Sequence, residues 1–587
     1  MSTRLERVLY VDLTERTARA TKRSELFAKY LGGTGVASKL LLEECQPRIS
    51  ALSPEAPIIF TTGPLVGIFP SMAKTVAVFK SPLTGNLGES HAGGRFSTAL
   101  RFAGYGAIVI KGASDEPVRL SIENGKACIE DASPLWGLSP LQVERLIKPS
   151  NGGVHSVMSI GRAGENLVHY SGAIADRYHH FGRLGLGAVM GSKKLKAVRV
   201  SGKGDIQIVN SKSFRQVYNE IYERVVKTDF MKKYQEFGTA ANVLELNELR
   251  ALPSRNFSET VYENADSISG ERFAQEFLER KISCLGCPVT CVHLATLKIT
   301  SECERDPQGT EEQSKGMELV PYNYEPIFAL GTNLAVSDPK GVLQLISLCE
   351  HLGLDAIMTG AVLAWATEAY EKGFITTDET MGLRPGWGDF ETYMDMIVSI
   401  ADSKNHFYAT LARGVAAAAE AYGGEEFAIT LGKNSPAGYF TGYGFLVGTL
   451  VGARHSHLSN AGYSIDQTGM TKRVTPEQIV DFLIEEEDWL NVLHSLIACY
   501  FTRSVYVKEL IVRALAAVGI DITVGRLMRL GRKISRNLYD FKIREDFDLT
   551  KERIPRRLLE TESPVGRLNP RVIQQMISQY VKKATRS

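Results

Sequence analysis

The chain has 587 residues, 44% of them apolar and 23% charged, with a formal net charge of +2. That length is too great for one hydrophobic core and points to about three or four domains, while the near-neutral charge excludes a broadly basic nucleic-acid-binding face. Eight cysteines in so long a chain make no disulfide framework and suit thiolate chemistry in a reducing cytoplasm; the N-terminus M-S-T-R-L-E-R-V carries charge where a signal peptide needs an apolar core, and no run reaches the roughly 18 apolar residues of a membrane span.

Residues 1–208 read as sheet-rich. Val8-Leu9-Tyr10-Val11 alternates with charge as a strand does, and Ile58-Ile59-Phe60, Val76-Ala77-Val78-Phe79 and Ile108-Val109-Ile110 read as buried strands. Leu120-Ser121-Ile122 and Ala127-Cys128-Ile129 flank Asn124-Gly125, a pair that supplies the positive φ angles of a two-residue hairpin turn. Glycine-rich segments crowd this region: L-G-G-T-G at 31–35, S-P-L-T-G-N-L-G at 81–88, H-A-G-G-R-F at 91–96, F-A-G-Y-G at 102–106, S-I-G-R-A-G-E-N-L-V at 159–168 and F-G-R-L-G-L-G-A-V-M-G-S-K at 181–193. Glycine lets backbone N–H groups approach a phosphate or flat ring closely. Lys80, Arg95, Arg183, Lys193 and Lys194 lie in or beside these loops as candidate phosphate partners. None of the loops is a Walker loop or a clean dinucleotide fingerprint. His179-His180 precedes the last of them and is a candidate for acid–base or ligand work.

From about residue 210 helical patterns dominate. Cys284, Cys287 and Cys291 form the clip C-L-G-C-P-V-T-C, and Cys499 stands alone in S-L-I-A-C-Y-F. Three thiolates on one loop with a remote fourth suit a cubane iron–sulphur cluster; a tetrahedral zinc site and unligated thiols are the alternatives. V-P-Y-N-Y-E-P-I-F places Glu325 among aromatic and apolar residues, where burial raises a carboxyl pKa and makes a proton shuttle. Ser337-Asp338-Pro339 starts a helix whose Leu345, Leu348, Cys349 and Leu352 form one buried face, so Cys349 reads as core. The third block, 411–587, carries Arg454-His455-Ser456-His457, a second histidine pair with acid–base potential, and a basic tail, R-I-P-R-R at 553–557 and K-K-A-T-R-S at 582–587, that reads as solvated surface.

Taken together, in order, S-P-L-T-G, F-A-G-Y-G-A-I-V-I, G-R-A-G-E-N-L-V, G-L-G-A-V-M-G-S-K-K-L-K-A, C-L-G-C-P-V-T-C, Y-E-P-I-F-A-L-G-T-N-L and H-L-G-L-D-A-I-M-T-G resemble the aldehyde:ferredoxin oxidoreductases over nearly the whole chain. The resemblance implies an α+β protein: a sheet-rich cofactor-binding domain at 1–208, a helical domain at 209–410 with the cysteine clip, and a helical domain at 411–587 with the fourth cysteine. It implies two pterin dithiolenes around one tungsten or molybdenum, and a [4Fe-4S] cluster on Cys284, Cys287, Cys291 and Cys499. It further implies aldehyde–carboxylic acid interconversion, with electrons passed to ferredoxin or an iron–sulphur partner subunit and the option of homo- or hetero-oligomers. Glu325 matches the family's proton-handling glutamate, and His455 or His457 its histidine.

Gly93, Gly182 and Arg183 match positions where the family touches pterin, and His180 adjoins them. Lys74 and His179 each replace an arginine, and His91 stands where the family often has an asparagine beside a Mg2+ between the pterin phosphates. The family's D-x-x-G-L-D is here Glu350 to Asp355, through Leu354, and its D-x-x-x-x-C is His494 to Cys499. A neutral imidazole at His494 accepts one pterin N–H where a carboxylate accepts two, which marks a divergent branch. Gln344 matches a metal-bridging glutamate of some members, so that bridge is not expected. Two further readings remain: a CoA-thioester reductase with the same cofactors, and a non-catalytic iron–sulphur relay subunit.

Overall fold

The computed structural model describes residues 5–147, 152–206, 208–298 and 316–585. Its first third holds twelve strands: β1 (Arg7–Asp12), β2 (Thr17–Lys22), β3 (Ile58–Thr61), β4 (Thr75–Lys80), β5 (Leu87–Ala92), β6 (Ala107–Lys111), β7 (Val118–Glu123), β8 (Lys126–Asp131), β9 (Val154–Ser159), β10 (Ala173–Ala175), β11 (His179–Phe181) and β12 (Leu195–Gly202). They form two six-stranded sheets, ordered β2-β1-β6-β3-β4-β5 and β11-β10-β9-β12-β7-β8. The parallel pairs are β1 with β6 and β7 with β12. All the strands expected from sequence are present. Asn124 and Gly125 turn the β7–β8 hairpin at φ 47° and 84°, with Glu123 opposite Lys126.

The central strands β3, β4 and β6 are buried on both faces, which is why they read as nearly continuous apolar runs. Leu9, Ile58, Phe60, Phe79, Ile108 and Ile110 point toward Leu120, Ile122, Met158, Val198 and Val200 of the second sheet. The alternate residues Val8, Ile59, Val76, Val78 and Val109 point the other way, into a core built with the helices Gly33–Glu44, Pro476–Ser495, Lys508–Ala517 and Val524–Arg544. The period of two along each strand thus serves two cores.

After β12 the chain is mostly helical, in keeping with the α+β reading. Asp338 caps the Pro339–Leu352 helix by accepting from the N–H groups of Lys340 and Gly341, and Gly353 ends it at φ 74°. Cys349 is buried in that helix's apolar face and is a core residue. A single apolar cluster, running from Leu83 to Tyr580, takes residues from both sides of position 410. The sequence did not announce a third sheet, β13 (Leu278–Ile282), β14 (Val292–Lys298) and β15 (Met317–Tyr322), all antiparallel. The cysteine clip is the loop between β13 and β14. No described helix is long and apolar enough to cross a membrane.

The described part of the basic tail is mostly surface as expected, with Arg553 and Arg556 58% and 74% exposed, and Arg557 is the exception. Arg557 is partly buried, pairing with the buried Glu368 and donating to the Asn256 carbonyl at 3.2 Å. Lys583 bridges Asp481 and Glu477 at 2.6 and 3.2 Å. Residues 586 and 587 lie outside the described residues.

Candidate active site

A cavity of about 380 Å³ opens where the β5 and β10–β11 ends meet the helical part of the chain. All four clip and remote cysteines line it. Gly286, at φ 73°, lets the clip fold back so that the Cys287 N–H donates to the Cys284 carbonyl at 3.0 Å. Cys499 follows the last turn of the Pro476–Ser495 helix, and its N–H donates to the Ser71 carbonyl at 3.0 Å. Ser71 Oγ in turn lies 3.2 Å from Cys287 Sγ. One residue therefore ties the remote cysteine to the clip.

Burial pushes the thiols of Cys287, Cys291 and Cys499 up, and their mutual charge raises them further. Four thiolates here need compensating charge, and Lys74 is beside them: burial would lower its ammonium, yet the four cysteines hold it above its ordinary value. Among the described residues, the one group of three or more His, Cys, Asp or Glu ligand atoms mutually within 4.8 Å is Glu89, His91 and His494. The four sulphurs form no such group. Gly93 sits against the clip, and a Cβ there would come 2.4 Å from Cys284 Sγ and 3.0 Å from His179 Nδ1.

The remaining wall is polar and cationic. Arg183 donates from Nε to Asp355 Oδ2 at 3.1 Å and from Nη2 to Asn434 Oδ1 and the Ser435 carbonyl at 2.6 and 2.7 Å. Its buried Nη1 has no hydrogen-bond partner among the described residues. Asp355 also caps the Ala356–Glu371 helix, accepting from the Ile357 N–H. The Gly353 turn places Glu350 and Leu354 on the same wall, and Glu350 Oε2 is 2.5 Å from His180 Nε2. Burial alone would lower His180, but Glu350 holds its pKa above the ordinary value. Gly182 faces the cavity without a side chain to fill it. His179 and His494 are both driven down, chiefly by burial, and stay neutral. A flat anionic group rich in ring N–H bonds fits this wall: backbone glycine at Gly93 and Gly182, an unpartnered guanidinium nitrogen, and acceptors at Glu350, Asp355 and His494.

Glu89 and His91 project from one face of β5, and His91 Nε2 is 2.6 Å from Glu89 Oε1. His91 meets His494 edge-on, with ring centroids 4.6 Å apart. Magnesium takes oxygen ligands, and two imidazoles with one carboxylate do not suit it. The expected Mg2+ therefore finds no matching donor set in these side chains.

Glu325 lies in the first turn of the Tyr324–Leu330 helix. Tyr439 donates to its Oε1 at 3.0 Å, and His457 Nε2 lies 3.6 Å from the same oxygen. Tyr439 also stacks on His457, with centroids 5.0 Å apart. The expected upward shift of the Glu325 pKa is not what the structure gives. Burial does push it up, but His457, the helix N-terminus and Tyr439 outweigh that and hold it below the ordinary carboxylate value. Burial lowers His457, leaving a neutral imidazole. The pair is thus an ionised acid beside a neutral base.

Of the residues expected from sequence to be catalytic, to touch pterin or to hold the cluster, only His455 is not on this wall. Its ring turns away, buried against Phe547 and 2.9 Å from Lys542 Nζ. Three of the candidate phosphate cations are also elsewhere. Lys80 pairs with Glu545, Lys193 donates to the carbonyls of Ser53, Pro54 and Gly112, and Lys194 covers the Trp136 ring. Arg95 bonds Asp176 through its N–H at 2.7 Å and does not line the cavity. Sequence reasoning missed Tyr439, Asn434 and Glu89, and gave Arg454 no role of its own. Only Glu89 carried a local signal, since it shares a strand face with His91 two residues on.

Comparison with known proteins matches residues 8–202 to the family model "Aldehyde ferredoxin oxidoreductase, N-terminal domain". Residues 216–584 match "Aldehyde ferredoxin oxidoreductase, domains 2 & 3". The chain is 34% identical to the tungsten-containing aldehyde ferredoxin oxidoreductase of Thermococcus kodakarensis over 583 residues, covering 95% of this chain and 92% of that one. It is 33% identical to that of Pyrococcus furiosus over 580 residues, covering 95% and 92%. Among solved structures, the active-site complex BamBC of benzoyl coenzyme A reductase with 1,5-dienoyl-CoA shares the fold. The TM-score is 0.84 at 22% identity, over 99% of this chain and 94% of the other.

Proposed function

This chain belongs to the aldehyde ferredoxin oxidoreductase family, and from that premise we propose that it is a tungsten (or molybdenum) bis-pterin enzyme interconverting an aldehyde and a carboxylic acid. In this reading Cys284, Cys287, Cys291 and Cys499 hold a [4Fe-4S] cluster, and ferredoxin or an iron–sulphur partner subunit collects the electrons. The observation that carries it is the meeting, in one cavity, of four cysteines, a glycine-backed cationic wall and the Glu325–His457 pair.

The metal-pterin group, when bound, supplies the two-electron chemistry that a cubane cluster, accepting one electron at a time, does not. The chain's own residues do the rest. Arg183, Arg454 and Lys74 give positive charge for pterin phosphates. Gly93 and Gly182 let the backbone approach the flat rings, and Glu350, Asp355 and His494 accept ring N–H bonds. Oxidising an aldehyde with water yields the acid, two electrons and two protons. Glu325, ionised and oriented by Tyr439, takes a proton at its carboxylate. His457, neutral and 3.6 Å away, is the second acceptor.

Anaerobically purified protein tests this with a panel of aldehydes and a viologen acceptor. Aldehyde-dependent viologen reduction with formation of the matching acid supports the reading. A tungsten- and iron-loaded protein inert to every aldehyde, or active only on CoA thioesters, overturns it.

A further inference from the structure

The segment 451–457 sends Arg454 and His457 into the cavity and His455 away from it. His455 has φ 48°, a left-handed conformation that L-residues avoid. Its ring lies over Gly432, where a Cβ would stand 2.3 Å from it. What holds this turn is a set of buried polar side chains from three other elements. Lys542, on the Val524–Arg544 helix, is fully buried, and its Nζ donates to the Ala453 carbonyl at 3.1 Å and contacts His455 Nε2 at 2.9 Å. Glu487, on the Pro476–Ser495 helix, accepts from the Ala453 N–H at 2.9 Å and from the Tyr580 hydroxyl at 3.1 Å. Asn434 donates from Nδ2 to the His455 carbonyl at 3.0 Å while accepting from Arg183. Tyr539 donates to the Val451 carbonyl.

We propose that Lys542 is a positioning residue for the acid–base pair. By pinning Ala453 and His455 it fixes where the next turn of chain presents His457, and so sets His457 beside Glu325. His455 is then the anchor of the turn and takes no part in proton transfer. The proposal rests on the reading of Glu325 and His457 as the proton-handling groups.

The chemistry of the residue suits the task. Lysine offers several donors on one nitrogen and needs no acceptor role. The Phe547 ring, 4.0 Å below Nζ, receives its charge. Burial lowers the Lys542 ammonium to about 7, while Glu487 and Glu552, the acidic groups acting on it, pull the other way. Charged or neutral, the nitrogen still donates. His455 is kept neutral by burial and by Lys542 itself, so its Nε2 is free to accept. A purely space-filling lysine would need neither contact.

The test is a double-mutant cycle on the loaded enzyme, with tungsten and iron content measured first. Lys542→Met keeps the length and apolar stem and removes the donors. We expect it to keep both metals, to lower kcat by up to about 100-fold with little change in KM, and to move the acidic limb of the pH profile as His457→Asn does. Lys542→Met combined with His457→Asn should be no slower than His457→Asn alone, because a positioning group acts only through the group it places. Normal kcat in Lys542→Met, or losses that multiply in the double variant, overturn the proposal. If Lys542→Met does not accumulate as folded protein, His455→Leu removes the same contact from the other side and is read by the same criteria. Normal turnover in His457→Asn would refute the acid–base reading itself, and the role of Lys542 with it. That outcome is distinct from a normal Lys542→Met beside an impaired His457→Asn.

Discussion

Gly93→Ala should cost the protein its cluster. The added Cβ would stand 2.4 Å from Cys284 Sγ and 3.0 Å from His179 Nδ1. Unbonded carbon and sulphur settle near 3.5–4 Å, so the sulphur has to retreat by about 1 Å. Metal–ligand distances tolerate only about 0.2 Å. On the other side stands His179, which is itself buried at 8% exposure. Cys284 therefore drops out as a ligand, and a cubane held by three thiolates loses iron. Iron per chain, by plasma mass spectrometry, should fall from about four to about three or fewer, and the spectrum of the reduced cluster by electron paramagnetic resonance should change or vanish. Gly386→Ala is the control, since nothing lies within 4 Å of its Cβ position. Full iron and an unaltered spectrum in Gly93→Ala would refute the steric reasoning and the placement of the cluster on Cys284.

Three other outcomes are expected. Cys499→Ser should degrade the cluster, whereas Cys349→Ser, in the core of the Pro339–Leu352 helix, should leave iron content unchanged; equal iron loss in both contradicts the ligand set. Glu325→Gln should retain tungsten and iron and lose about 10²–10⁴ in turnover; near-normal turnover would make Glu325 a buried structural acid. Glu89 is 3% exposed, and although burial pushes its carboxyl up, Arg454, His91 and Thr34 bring it down to about 2 from an unfolded value of 4.5. A depressed carboxyl pKa gives stability that is fully present above pH 4.5 and is lost as pH falls toward 2, on the order of 3 kcal/mol. Acid unfolding of Glu89→Gln should therefore show a shallower loss over that range, and superimposable acid limbs would exclude the effect.

What the sequence made legible was set by short-range chemistry. The β7–β8 hairpin followed from Asn124-Gly125, and the Pro339–Leu352 start from Asp338-Pro339, because the residues that decide each conformation are adjacent. The cavity wall was legible through ordered motifs, each short. The failures came where distant partners decide. The sign of the Glu325 pKa depends on Tyr439, 114 positions away, and on His457. The choice between His455 and His457, two residues apart in one turn, depends on Lys542 and Gly432. Lys80 sits beside a glycine-rich loop in sequence, but its charge is spoken for by Glu545, 465 positions on. Arg557 looked like solvated tail until Glu368 claimed it. The sheet around the cysteine clip escaped notice because β13, L-E-R-K-I, is short, charged and largely exposed, with no alternation to read.

The most direct measurement is the metal content of the anaerobically purified protein. A tungsten or molybdenum atom at about one per chain, together with about four irons, is the result expected if the cavity holds a pterin-bound metal beside a cubane on Cys284, Cys287, Cys291 and Cys499. Zinc in place of iron, or iron with neither tungsten nor molybdenum, would contradict it.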